Sequence, residues 1–226
     1  MPFRPLLYAA IALLSLYASG CSSLKTRNYL SEAESLIAEA SRHGGETYAS
    51  ANLDKARSNI SHSRLMLQRG NREKALEFAC LAHMEAVKGH DTSLRSHAAI
   101  SLKSAREAVS LIERNRTGEE SPDVTAEITR LARECERMFL GAQYKHSIAL
   151  SSEAGALASS LIEPLSRESA ILREKTLSAL QASVDDDLKK RLSPRMDEAA
   201  AADKSGDFHA AIDIYTAIMK EIPEGE

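Results

Sequence analysis

His83, His90 and His97 recur seven residues apart. On one continuous helix they would share a face, and imidazole is the commonest protein ligand for transition metals. Seven residues is about 10.5 Å of helical rise, too far for one ion to bridge, so the spacing points to solvated or rim histidines. Asp185-Asp186-Asp187 offers three carboxylates to a cation, but Lys189-Lys190-Arg191 follows at once. That mixture describes a charged, solvated helix face. Arg130, Arg133 and Arg137 line one flank of a helix among Glu134 and Glu136, and read as surface ion pairs of small individual worth. No His-Glu-x-x-His, Cys-x-x-Cys or Gly-x-Ser-x-Gly pattern occurs, and the ten glycines are scattered at helix breaks rather than gathered into a phosphate-binding loop. No acid, base and nucleophile converge in the pattern. The expectation is a protein that is not an enzyme, with no catalytic, cofactor or metal site.

The remaining chemistry belongs to a thiol. One cation, Arg4, precedes an apolar run from Leu6 to Leu16 broken only by Ser15, and Ala18-Ser19-Gly20-Cys21 follows Tyr17. A short basic start, an apolar middle and small residues before a cut make a secretory signal. The run is short of the roughly 20 residues that a membrane span needs. Ala18-Ser19-Gly20-Cys21 resembles the lipobox of bacterial lipoproteins, with Ala18 where that family prefers Leu. The resemblance implies thioether lipidation of Cys21, cleavage between Gly20 and Cys21, and acylation of the new amino group, as by palmitate. Several acyl chains on one residue make a stable anchor, since one chain alone binds only marginally. Ser22 stands where Asp would imply retention in the inner membrane; the resemblance therefore implies the outer membrane, on its periplasmic face. Residues 1–20 are expected as signal peptide and 21–28 as a lipidated tether.

Formal charge is −3, and loss of a leader carrying only Arg4 would make it −4. Such a balance lacks the basic footprint of nucleic-acid binding, so membrane contact is expected from lipid, not from a basic patch. Aromatics are 4% and Trp is absent, which leaves few stacking platforms. Ala, Leu, Ser, Glu, Lys and Arg dominate and nothing alternates with period two, a helix-rich pattern. Cys135 shares a stripe with Leu131, Met138 and Phe139, and Cys80 with Leu76 and Val87. An oxidising compartment leaves a disulfide open, but buried free thiols are the commoner reading of such stripes.

The elements follow from apolar spacing and breakers. Leu30, Ala33, Leu36, Ile37 and Ala40 predict a helix ended by Gly44-Gly45. Further helices are expected at 46–69, 72–88 and 94–112, with Gly89 bending or stopping the chain. Asn115 to Glu120 reads as loop. Ser121-Pro122 then caps a helix to Leu140, and another runs from Gln143 to Ile162, ended by Glu163-Pro164. A helix at 167–191 is followed by Ser193-Pro194, which opens one to 204; Ser205-Gly206 turns; Phe208 to Glu221 is the last, closed by Pro223.

Gly70, Ala142 and Gly206 can be set in register. Ala75-Leu76 then meets Ser147-Ile148 and Ala211-Ile212, Ala79 meets Ser151 and Tyr215, and Ala82 meets Ala154 and Ile218. The separations, 72 and 64 residues, exceed a two-helix repeat, so a further helix must lie between successive hairpins. Gly206-Asp207-Phe208, Ala211-Ile212, Tyr215 and Pro223 resemble the second half of a tetratricopeptide repeat; the first half departs, with Arg195, Glu198 and Ala199 where Trp, Leu and Gly are usual. Residues 31–98 also resemble an uncharacterised helical domain of bacterial lipoproteins, through Tyr48-Ala49, Leu53-Asp54-Lys55-Ala56, Gly70-Asn71, Ala75 and Leu81-Ala82. The expected fold is all-α: one repeat-like domain at 29–226, its antiparallel hairpins near 46–88, 122–162 and 194–222 stacked as a short tetratricopeptide-like array. Gly70, Ala142, Tyr144, Gly206, Phe208, Ala211 and Tyr215 are the expected packing residues. The expected role is a non-enzymatic scaffold for envelope proteins, held to a membrane by lipid on Cys21. The alternatives are an accessory small-molecule carrier, a cell-wall enzyme or a mechanical spacer.

Overall fold

The computed structural model describes the backbone of residues 4–115, 122–183 and 185–222, and side chains at 23–115, 123–183 and 185–222. Among these residues there are eight α-helices and no strand: α1 (Arg4–Arg42), α2 (Gly45–Tyr48), α3 (Ser50–Gln68), α4 (Arg72–Arg114), α5 (Pro122–Leu140), α6 (Tyr144–Ala182), α7 (Asp186–Ser205) and α8 (Phe208–Glu221). The protein is all-α and built of antiparallel helical hairpins. It divides into two compact units, Met1–His97 and Ala98–Glu226, where one body from 29 to 226 was expected. The division follows the cores: one apolar cluster spans Leu30 to Ala86, and the others draw only on Leu102 and later residues.

Three hairpins, α3–α4, α5–α6 and α7–α8, turn in the same way. Gly70, Ala142 and Gly206 all have positive φ, at 73°, 57° and 77°. The residue after each donates its N–H five residues back, Asn71 to Met66, Gln143 to Met138 and Asp207 to Ala202. This is the Schellman closure, which satisfies carbonyls that a helix end otherwise orphans. Small residues twelve apart then meet across each hairpin: Ser63 and Ala75, Cys135 and Ser147, Ala199 and Ala211, all fully buried. The expected register therefore holds in the backbone as well as in the letters.

The intervening helix is not separate. The second helix of each of the first two hairpins simply continues: α4 and α6 are unbroken for 43 and 39 residues. In the second unit, the far part of α4 packs on α5 and the start of α6 around Leu102, Ala105, Ile112, Ile128, Cys135 and Ala158. The far part of α6 packs on α7 and α8, with Leu172 and Leu180 against Leu192, Ala199, Tyr215 and Ile218. In the first unit α1 takes the place of the extra helix, laying Leu30, Ala33, Leu36 and Ile37 on Ala56, Ile60, Ala79, Ala82 and Ala86.

Several expected breaks are overridden. Residues 21–28 belong to α1 rather than to a tether, because Thr26 (fully buried) extends the stripe of Leu30, Ala33 and Ala40. Gly89 neither bends nor stops α4; it is buried, and a Cβ there would lie 2.6 Å from Leu53 Cδ2. Its absent side chain makes room for Leu53. Pro164 does not end α6, and Pro194 lies inside α7 rather than opening a helix. An interior Pro costs about 3 kcal/mol. Both helices bury residues on either side of it, Ala158, Ile162, Ser169 and Thr176 in α6, and Leu188, Leu192 and Ala199 in α7, so packing outweighs the lost bond. The start of α7 is fixed instead by Asp185, whose carboxylate accepts from the N–H groups of Asp187 and Leu188. Pro122 does open α5; its expected cap Ser121, loop residues 116–120 and Pro223 lie outside the described residues.

Candidate functional site

The heptad-spaced histidines do lie on one helix, α4, and α1 runs parallel beside it with acids at the matching spacing. His83 Nε2 is 3.3 Å from Glu32 Oε2, and its ring is 5.4 Å from that of Tyr29. One heptad on, His90 Nε2 is 3.3 Å from Glu39 Oε2, and its Nδ1 is 3.5 Å from Asp91. That Nε2 is shut off from solvent, near enough to Glu39 for an ion pair but not aligned as a hydrogen bond. At the end of the row His97 Nδ1 faces His43 Nδ1 at 3.0 Å, one ring donating and the other accepting. The expected solvated rim is thus a half-buried seam: the His90 side chain is 12% exposed and that of His83 28%. His83 and His90 each have a partner on α1 and His97 has His43 in the turn just after it, and among the described residues no three His, Cys, Asp or Glu side chains converge on one ion. The seam ties α1 to α4.

The other charged runs resolve locally. Arg130 makes a two-pronged contact with Glu127 and Arg137 another with Glu134, three residues apart along α5. These hydrogen bonds hold the two carboxyls below their usual range and raise the two guanidiniums. Of the three aspartates, Asp185 is the α7 cap and Asp186 sits 3.6 Å from Lys189. Cys80 and Cys135 are both free; Cys135 is buried with its thiol 3.2 Å from the Ser147 carbonyl, and Cys80 is partly exposed.

The expected packing residues fall into two groups. Gly70, Ala142 and Gly206 make the turns, and Ala211 and Tyr215 are fully buried. The Tyr215 hydroxyl donates to Asp203 Oδ2 at 3.0 Å, and Ser169 donates to the other oxygen of the same carboxylate. Burial and that carboxylate push the Tyr215 phenol up to about 12. Tyr144 and Phe208 are half-buried covers rather than core. Tyr144 opens α6 with its ring 5.7 Å from Phe139, and Phe208 opens α8 against the cluster of Ile112 and Ile128.

Asn115, expected as loop, is 1% exposed and acts as a latch. Its amide donates to the Leu111 and Gly206 carbonyls at 2.8 and 2.7 Å, and its oxygen accepts from Phe208 N–H at 2.8 Å. One side chain thereby closes the end of α4 and the start of α8. A Cβ on Gly206 would meet Leu111 Cδ1 at 2.8 Å, so this glycine serves a close approach as well as a turn. Gly20 and Cys21 lie in the part of α1 whose side chains are outside the described residues. Among the described residues no helix is long and apolar enough to cross a membrane. The chain matches no family model, no curated protein and no solved structure.

Proposed function

We propose that the chain is a lipid-anchored protein of the bacterial envelope, attached through Cys21 at the periplasmic face of the outer membrane, and that its helical body is a non-enzymatic scaffold for protein partners. The observation that carries the scaffold reading is the threefold hairpin. The same left-handed turn and the same buried small-residue pair recur at Gly70, Ala142 and Gly206, so helices approach closely and hold long outward side chains at fixed positions. Ion pairs such as Arg64–Glu34, Arg106–Glu136 and Arg195–Glu221 then join neighbouring helices from outside. The anchor reading is supported by Ala18-Ser19-Gly20-Cys21 at the end of an apolar run. A face suited to a partner lies along the far part of α6, where Ile171 is 54% and Leu177 40% exposed.

Crosslinking the intact protein in its native envelope, with Cys21→Ala as the unanchored control, tests this. One or a few defined proteins should be recovered from the wild type and lost with Ile171→Glu, and Cys21→Ala should leave the membrane fraction. Recovery of lipid and peptidoglycan alone would overturn the scaffold reading. An unchanged membrane fraction for Cys21→Ala would overturn the anchor.

A further inference from the structure

The parallel register of α1 and α4 places the start of α1 in space. Glu32 stands opposite His83 and Glu39 opposite His90, an offset of 51 residues in both cases. Carried back along the helices, that offset sets position 21 level with Arg72, at the turn between α3 and α4. Cations gather at this end. Lys25 and Arg27 are exposed on α1, Arg69 ends α3, and Arg72 and Lys74 stand in the first turn of α4, all exposed. The nearby acids are Glu73 and Glu77. Lys25, Arg27, Arg69 and Lys74 make no ion pair among the described residues, whereas Arg57, Arg64 and Lys88 further along the same unit do. Leu24, beside Lys25, is 62% exposed. An acidic chain of net charge −3 therefore carries a locally basic end, and an exposed apolar side chain, at the level of its own anchoring residue.

We propose that this end, formed by the start of α1 and the α3–α4 turn, is a docking face for anionic phospholipid, with phosphate-bearing headgroups meeting Lys25, Arg27, Arg69 and Lys74 and Leu24 entering the interface. The proposal rests on the anchor reading for its orientation. Lipid on Cys21 would hold the basic end within a Debye length of the headgroups, where each cation adds attraction that salt weakens. Membrane contact is then more than the anchor alone, and the first hairpin stands end-on to the surface.

The test uses the full chain purified from bacterial envelopes and reconstituted into vesicles of phosphatidylcholine alone or with phosphatidylglycerol added. Lysine acetylation read by mass spectrometry reports access. Lys25 and Lys74 should be modified at least about fivefold more slowly on the anionic vesicles, with Lys55 and Lys88, exposed further along the same unit, unchanged as internal controls. The protection should vanish at high salt and in the double variant Arg27→Glu, Arg69→Glu. Equal modification on both vesicles, or protection that survives the double variant, would overturn the proposal. The acyl mass on the peptide bearing Cys21 reports the anchor separately. An unacylated chain still protected on anionic vesicles keeps the basic face and discards the anchor; an acylated, unprotected chain does the reverse.

Discussion

In the first hairpin the turn at Gly70 brings Ser63 and Ala75 together, with Ala79 and Ala82 further along; in the last, the turn at Gly206 brings Ala199 and Ala211 together, with Tyr215 and Ile218 in the matching places. Apart from the two turn glycines, every one of these residues is fully buried. The same backbone is thus filled in two ways. In the first unit methyl groups let helices touch, with one buried bond from Ser63 to the Ala75 carbonyl, and the other specific contacts lie in the half-buried seam of His83, His90 and His97 with Glu32, Glu39 and His43. In the last hairpin a phenol fills the gap, and the polar network is inside, with Ser169 and Tyr215 both donating to Asp203. The turn and the small pair set the hairpin, while its centre is free to be apolar and tight or larger and hydrogen-bonded.

This contrast can be broken most severely at Tyr215. Tyr215→Ala should cost about 3–5 kcal/mol by denaturant unfolding, with hydrogen exchange rising first in α7 and α8; Ala79→Gly in the first hairpin should cost far less. A smaller effect comes from alkali. The folded phenol titrates near 12 and the unfolded one near 10, so the neutral form is favoured by folding. Its contribution, about 2–3 kcal/mol at most, is complete below pH 10 and is lost as pH rises through 12. Tyr215→Phe should remove that alkaline transition, and a wild-type transition unchanged by Tyr215→Phe would sink the assignment. Two glycines inside helices sharpen the comparison. Gly89→Ala pushes a methyl into Leu53 and should destabilise by about 1–2 kcal/mol, less when combined with Leu53→Ala. At Gly155 nothing lies within 4 Å of a new Cβ, so Gly155→Ala should stabilise by about 0.8–1 kcal/mol. The smallest change is at the middle turn, where Ala142 holds φ 57°. Ala142→Gly should raise stability by no more than about 1 kcal/mol, measured as a shift in Tm.

Local signals in the sequence carried the hairpins well. Small residues at fixed spacing around Gly70, Ala142 and Gly206 placed all three turns, and Phe208 to Glu221 matches α8. Pro164 and Pro194 misled, because their cost is local and the burial that offsets it comes from other helices. Asp185 looked like part of a charged face, since a cap is recognised by the helix that starts just after it, and the expected helix at 167–191 already covered that position. The histidine seam was half legible. Glu32 and Glu39 share the spacing of His83 and His90, a signal that two heptad rows could pair, but only the parallel course of α1 and α4 brings them together. Asn115 had no local signature, because its latch partners lie about ninety residues away at Gly206 and Phe208.

The continuity of α6 has a mechanical consequence. Its 39 residues extend about 58 Å, and the first part belongs to the packing with α5 while the later part belongs to the packing with α7 and α8. Tension entering one bundle leaves through a helix axis, not through a slack linker, so the two share a load and yield together. The weakest link in that axis is one turn before Pro164, where the Ser160 carbonyl has no N–H at position 164 to receive.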